Sequence, residues 1–232
     1  DMNALLLRVS DTLHAQQRFI ADAAHELRSP LTALKLQVQL LARARDQQER
    51  QLAESRLAAA TERVIHLAEQ LLQLAREDAQ EAAAGNPPTL DLHACVRQAI
   101  DDAAVFSSSK QIDISLELPG ETLIHAPHNA IHVLLRNLLD NAIRYTPTGG
   151  RIQIVTQPLA RGVRLRIADS GPGIDDAERE RVFDRFYRIS GNQQPGSGLG
   201  LAIVKTIPDR LGARIQLSRA DIGGLQVDIV FI

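Results

Sequence analysis

Apolar side chains recur at three- and four-residue steps along the first third of the chain. One series runs Phe19, Ile20, Ala23, Ala24, Leu27, Leu31, Leu34, Val38 and Leu41, and a second runs Leu57, Val64, Leu67, Leu71, Leu72 and Leu74. That period predicts two long amphipathic helices, with a turn between them near Arg45 to Glu49. Residues 1–84 contain no glycine and a single proline, Pro30, so nothing else interrupts the helical pattern. A helix of about 40 residues spans roughly 60 Å, and a lone hairpin of that length leaves its apolar stripe wet. The hairpin is therefore expected to pair with a second copy as a four-helix bundle; packing on its own chain is the alternative.

Gly85, Asn86, Pro87 and Pro88 break the helical pattern and mark a linker. Beyond them, alternating segments predict strands at Ile112 to Leu118, Arg151 to Thr156, Val163 to Ala168, Arg214 to Ser218 and Leu225 to Phe231. Helices are expected over Leu92 to Val105, Asn129 to Arg144 and Leu199 to Ile207. No regular βαβ repeat appears, so the fold class is α+β: a helical hairpin followed by an α/β sandwich with a mixed sheet.

Composition narrows the function classes. Aromatic residues make up 3% and tryptophan is absent, which argues against a stacking surface for bases or sugars. A net charge of -2 argues against a nucleic-acid or anionic-lipid footprint. The single cysteine, Cys95, excludes an internal disulfide and a multi-cysteine zinc site, and reads as a small buried apolar residue. No apolar run approaches the roughly 20 residues that span a bilayer, and no signal peptide is visible, so the chain as given is expected to be soluble.

Four segments of the second half carry candidate chemistry. Asp169-Ser-Gly171-Pro-Gly173 follows a strand; its glycines admit a ligand close to the backbone, and its carboxylate can accept from an exocyclic amine. Alone, such a string is usually a turn. Gly196-Ser-Gly198-Leu-Gly200-Leu201 opens a helix, where exposed amides suit phosphate oxygens; it lacks the Lys-Ser/Thr ending of a P-loop. Asn137 and Asn141 lie four apart on one helix face. Two buried amides without partners would cost about 1–3 kcal/mol each, and their oxygens suit Mg²⁺. Phe183-Asp-Arg-Phe186-Tyr187-Arg188 precedes a polar run that reads as a lid with aromatic anchors. His125, His128 and His132 cluster, but no zincin glutamate or cysteine joins them, so solvated or capping roles are expected.

The order and spacing of these four segments resemble the Bergerat-type ATPase fold, and in particular the catalytic domain of histidine kinases. The resemblance implies that ATP and Mg²⁺ bind here. It implies that Asn141 holds the metal with Asn137 beside it on the nucleotide, and that Asp169 reads the adenine amino group. Arg144 and Tyr145 would lie near phosphate and base. Gly171, Gly173, Gly196, Gly198 and Gly200, with Leu201, would shape the lid and its phosphate contacts.

In the first helix, His25-Glu-Leu-Arg-Ser-Pro30-Leu31 surrounds the hairpin's only proline. An interior proline costs about 3 kcal/mol, and such strain beside an ionisable nucleophile is a reason to suspect function. The string resembles the phosphoacceptor box of bacterial two-component sensor kinases. That resemblance implies autophosphorylation of His25, with Glu26 assisting the imidazole, and transfer to an aspartate of a response regulator. Ser29, on the face of His25, would orient water for dephosphorylating the regulator. The organisation implied is the end of a signal-relay coiled coil over 1–18, a dimerisation and phosphotransfer domain over 19–84, a linker over 85–89 and a catalytic ATP-binding domain over 90–232. The fragment would be the cytoplasmic portion of an inner-membrane protein whose sensor region is missing. A non-kinase ATPase of the same fold would need a general-base carboxylate where Asn137 stands, and a degenerate scaffold would not keep His25, Asn141 and Asp169. Pro208 departs from the family's pattern, predicting that the helix after the glycine loop stops near Ile207 or kinks there.

Overall fold

The computed structural model describes residues 23–24, 27–28, 30–79, 87–120, 122–189 and 197–232. The chain divides into two compact units at Asp78–Ala79.

In the first unit, α1 is helical over 30–43, so Pro30 is itself helical, and the described residues 23–24 and 27–28 are helical too. The chain turns at 44–46 and continues as α2 (Gln47–Ala79). Asp46 and Glu49 explain the turn's position. Asp46 Oδ1 accepts from the Glu49 amide at 2.7 Å, and Glu49 Oε2 accepts from the Arg45 amide at 2.9 Å. This reciprocal pairing is a variant of the capping box and satisfies amides that the first helical turn leaves without partners. Ala53, Ala60, Leu67 and Leu71 are buried in this unit, whereas Leu31, Leu36, Val38, Leu40, Leu52, Ile65 and Leu72 are exposed.

The second unit contains β1 (Thr89–Asp91), α3 (Leu92–Ser109), β2 (Asp113–Glu117), β3 (Leu123–His125) and α4 (His128–Tyr145). It continues with β4 (Arg151–Pro158), β5 (Val163–Asp169), two short 3-10 turns, α5 (Gly200–Leu211), β6 (Arg214–Arg219) and β7 (Leu225–Phe231). Five strands form a sheet in the order β2-β4-β5-β7-β6, in which β2 and β4 are parallel and the other pairs antiparallel. The sheet is mixed, as the irregular interleaving predicts. Ile131, Leu134, Leu135 and Leu139 of α4 and Ile203 and Ile207 of α5 are fully buried, along with Ile152, Ile154 and Leu165 of the sheet. Helices on one face and alternate strand positions on the other thus share one core.

Two short strands escape the sequence pattern. Thr89–Asp91 pairs antiparallel with Leu123–His125, and three residues are too few to display a period. Helix α3 also runs past Val105 to Ser109. Of the two outcomes expected at Pro208, the stop near Ile207 is corrected: α5 passes through Pro208 to Leu211, where Gly212 closes it at φ 66°. Pro208 occupies the last turn, so only the bond to the Val204 carbonyl four residues back lacks its donor. The left-handed conformation at Gly212 then ends the helix.

Candidate functional site

Helix α4 is built to present amides from an otherwise apolar face. Ile131, Leu134, Leu135, Leu138, Leu139 and Ala142 anchor it in the core, and Asn137 is buried among them at 7% exposure. Asn137 finds an internal partner, since its Nδ2 donates to the Val133 carbonyl at 2.9 Å. Asn141, one turn later, differs: its Nδ2 is buried and has no hydrogen-bond partner among the described residues. An unpaired buried amide is costly and points to a ligand. Arg144 and Tyr145, both half-buried, lie in the last turn.

The start of α5 closes over these amides. A Cβ added at Gly200 would come within 3.1 Å of Asn141 Nδ2, 3.4 Å of Asn141 Oδ1 and 3.5 Å of Asn137 Oδ1. Glycine therefore leaves the space in front of the amide pair that any larger residue would fill. Leu201 follows, half-buried. Gly198 is in the left-handed region at φ 71°, and its carbonyl accepts from the Phe186 amide at 3.0 Å. Phe186 itself has φ 64°. The predicted aromatic anchor and the glycine segment are thus joined through the backbone.

The third part is the end of β5. Asp169 is buried at 6% exposure, and its Oδ1 accepts from the Gly171 amide at 2.8 Å and the Leu225 amide at 3.3 Å. Both amides fall on Oδ1, which leaves Oδ2 for a ligand. Burial pushes the Asp169 carboxyl above its ordinary range, and the two amides only partly oppose that shift. Gly171 and the end of α4 are in close approach: a Cβ on Gly171 would lie 2.8 Å from the Tyr145 carbonyl oxygen. Gly173 adopts φ 75° against the Gly224 carbonyl.

The second unit therefore brings together Asn137, Asn141, Gly200 and Leu201 on one side, and Tyr145, Gly171 and Asp169 on the other, with α4 common to both. His25, Glu26, Ser29 and Gly196 lie outside the described residues. Three contributors are not in the motifs. Gly224 is required beside Asp169, because a Cβ there would sit 2.2 Å from Oδ1 and its amide donates to the Asp169 carbonyl at 3.0 Å. The Gly223-Gly224 pair before the last strand is a turn signal that could have flagged it. Leu225 contributes only its amide, which no sequence feature marks. Lys110 donates to three carbonyls at the end of α4.

The three histidines have neighbours of their own. Thr89 Oγ1 lies 3.1 Å from His125 Nδ1, and His128 and His132 stack with centroids 6.4 Å apart. No group of metal-ligating side chains occurs among the described residues. Cys95 is buried, and burial raises its thiol pKa.

Comparison with known proteins bears directly on this arrangement. Residues 15–80 match the family described as His Kinase A (phospho-acceptor) domain, and residues 126–231 match Histidine kinase-, DNA gyrase B-, and HSP90-like ATPase. The chain belongs to the sensor histidine kinase family. Among its relatives, the swarming motility regulation sensor protein RssA of Serratia marcescens is 34% identical over 94% of this chain and 46% of that protein. Sensor protein kinase PmrB of Pseudomonas aeruginosa is also 34% identical, over 99% of this chain and 48% of that protein. The chain spans about half the length of these relatives. Of solved structures, the Acinetobacter baumannii histidine kinase AdeS superposes with a TM-score of 0.71 at 26% identity, covering 89% of this chain and 96% of that one. The mycobacterial sensor histidine kinase MprB covers 62% of this chain and 96% of its own, at 29% identity and a TM-score of 0.57. No helix among the described residues is long and apolar enough to cross a membrane.

Proposed function

We propose that the chain transfers the γ-phosphoryl group of ATP to its own His25 and that phosphohistidine then supplies an aspartate of a response regulator. The observation that carries this reading is the unpartnered Asn141 amide facing Gly200, on the same helix whose end abuts the Asp169 loop. An orphaned buried amide beside space that only glycine leaves is what a metal-nucleotide site requires.

Residues present fit the substrate at both ends. Asp169 Oδ2 accepts from the adenine amino group, while Arg144 and Tyr145 lie toward phosphate and base. Asn141 fits Mg²⁺ through its side-chain oxygen, since an amide whose nitrogen has no partner can present either atom; the metal would neutralise charge on the phosphates. Gly171, Gly173, Gly198, Gly200 and Leu201, with Gly196 outside the described residues, would shape the lid and its phosphate contacts. Asn137, with its nitrogen committed to Val133, is an amide where hydrolytic relatives of the fold need a carboxylate base. That favours transfer to a side chain over hydrolysis.

At the acceptor, a neutral imidazole nitrogen of His25 forms the new N–P bond as the bond from the γ-phosphorus to the bridging oxygen breaks and ADP leaves. Glu26 hydrogen-bonds the other ring nitrogen and takes its proton. The regulator's carboxylate then attacks phosphorus and His25 is regenerated. Ser29 orients water in the reverse role, dephosphorylation of the regulator; a relative named kinase/phosphatase MprB supports bifunctionality. The exposed Leu31, Leu36, Val38, Leu40, Leu52, Ile65 and Leu72 support pairing of two hairpins in a homodimer. The cellular setting is the cytoplasmic side of a bacterial inner membrane, with a sensor region beyond the residues given. Incubation with labelled ATP should yield acid-labile phosphate on the chain. His25→Gln should abolish it while nucleotide binding persists; label retained by that variant would sink the mechanism.

A further inference from the structure

The geometry points to Lys110 as a positioning residue that fixes the spacing between the two halves of the nucleotide site. It has no place in the motifs, lying in the turn between α3 and β2. Its Nζ donates to the carbonyls of Ile143 at 2.8 Å, Arg144 at 2.8 Å and Thr146 at 3.1 Å. An ammonium has three hydrogens, and these three bonds use all of them. The acceptors are carbonyls at the end of α4, where the helix dipole is negative and a cation is favoured.

What makes this cap more than a generic one is the carbonyl it omits. Tyr145 stands between the bonded residues, and its carbonyl oxygen is the atom closely approached by Gly171 of the Asp169 loop. Lys110 thus holds the backbone on either side of the contact that sets where the end of α4 meets the base-reading carboxylate. One turn earlier on the same helix is Asn141. The Lys110 main chain continues the clamp, because its carbonyl accepts from the Gly149 amide at 2.9 Å. Next along, the Asp113 amide donates to the Gly150 carbonyl at 3.0 Å. The turn after α4 is therefore tied to the turn after α3 from both its side-chain and main-chain atoms. Burial, and then the nearby Arg144 cation, lowers the Lys110 pKa.

ATP reaches across this seam: in the proposed site its base meets Asp169 and its phosphates meet Asn141. A ligand that spans two subsites binds well only when their separation is preset. Loosening the end of α4 should therefore weaken ATP in folded protein, beyond any loss of stability.

This inference rests on the proposed nucleotide site, and its test keeps the two apart. A nonhydrolysable ATP analogue with Mg²⁺ is titrated into the parent chain and into Lys110→Met and Lys110→Gln, alongside thermal melts. Titrations are run well below each melting temperature, so that the folded fraction is read. The parent should bind; its failure to do so would remove the proposed function itself. Lys110→Met should bind about tenfold more weakly, and Lys110→Gln, with two amide hydrogens on a side chain one bond shorter, should fall between about threefold and tenfold. Steady-state autophosphorylation should show the loss mainly in the KM for ATP, with kcat at saturation little changed. A lower melting temperature with an affinity within about threefold of the parent would make Lys110 merely structural and overturn the proposal. Should Lys110→Met fail to fold, Lys110→Gln is judged by that same threefold limit.

Discussion

Asp169→Asn exchanges one oxygen for an NH₂ group at the base-reading position and separates recognition from stability. Oδ1 already accepts the Gly171 and Leu225 amides at 2.8 and 3.3 Å, and an asparagine oxygen can keep both. The change therefore falls on the other atom. There an acceptor becomes a donor facing the adenine amino group, itself a donor. Loss of a hydrogen bond to a charged acceptor costs about 1.5–3 kcal/mol, which corresponds to roughly 10- to 160-fold in affinity. Guanine presents a carbonyl at the equivalent position, so the variant should also narrow the preference for ATP over GTP. Stability should move the other way. Burial raises the Asp169 pKa above its ordinary 3.8, so the folded chain holds that proton more tightly than the unfolded one. The contribution is complete below the unfolded value and is lost as pH rises through the folded one, leaving an ionised carboxylate that costs stability at neutral pH. Each unit of elevation is worth about 1.4 kcal/mol. The asparagine side chain carries no such charge, so the melting temperature of Asp169→Asn relative to the parent should climb from pH 4 to pH 8. Calorimetric titration with a nonhydrolysable ATP analogue, together with melts across that range, measures both effects. Affinity within about threefold of the parent, or a difference in melting temperature that does not change with pH, would refute the reasoning.

Gly200→Ala should crowd the amide pair, because its Cβ would come within 3.1 Å of Asn141 Nδ2. Nucleotide affinity should drop about 3- to 10-fold in the presence of Mg²⁺ and less in its absence; equal losses under both conditions would argue against Asn141 as the metal residue. Pro208→Ala restores an amide to the Val204 carbonyl in the last turn of α5, and should stabilise the second unit by about 1 kcal/mol. Urea unfolding should show the gain with nucleotide affinity unchanged, and a loss of stability would mean that the buried proline ring contributes more by packing than its missing donor costs.

Sequence periodicity determined a good deal about this chain by itself. A 3.6-residue period in α4, and two-residue alternation in β4, β5 and β7, report which side of an element meets the core, and that is a local property; in the hairpin the period marks the helices, while Leu31, Val38 and Leu72 of its apolar series are exposed. Glycines, asparagines and Asp169 could be singled out because each is an expensive choice at its position unless something binds there. The hairpin turn, expected near Arg45 to Glu49, falls where Asp46 and Glu49 cap the start of α2. Tertiary structure decided the rest. Only folding sets Gly200 against Asn141, far apart in the chain, leaves the buried Asn141 amide without a partner among the described residues, and brings Gly224 and Leu225 to the Asp169 carboxylate. The three-residue strands β1 and β3 exist through their pairing with each other, and Lys110 looks like any solvated lysine until the end of α4 arrives beside it. Pro208 erred in the opposite direction: its local cost is real, yet a buried helix end with a single missing bond absorbs it. Local preference tells which face of an element is apolar, whereas partners distant in the chain decide which polar atoms are satisfied and which await a ligand.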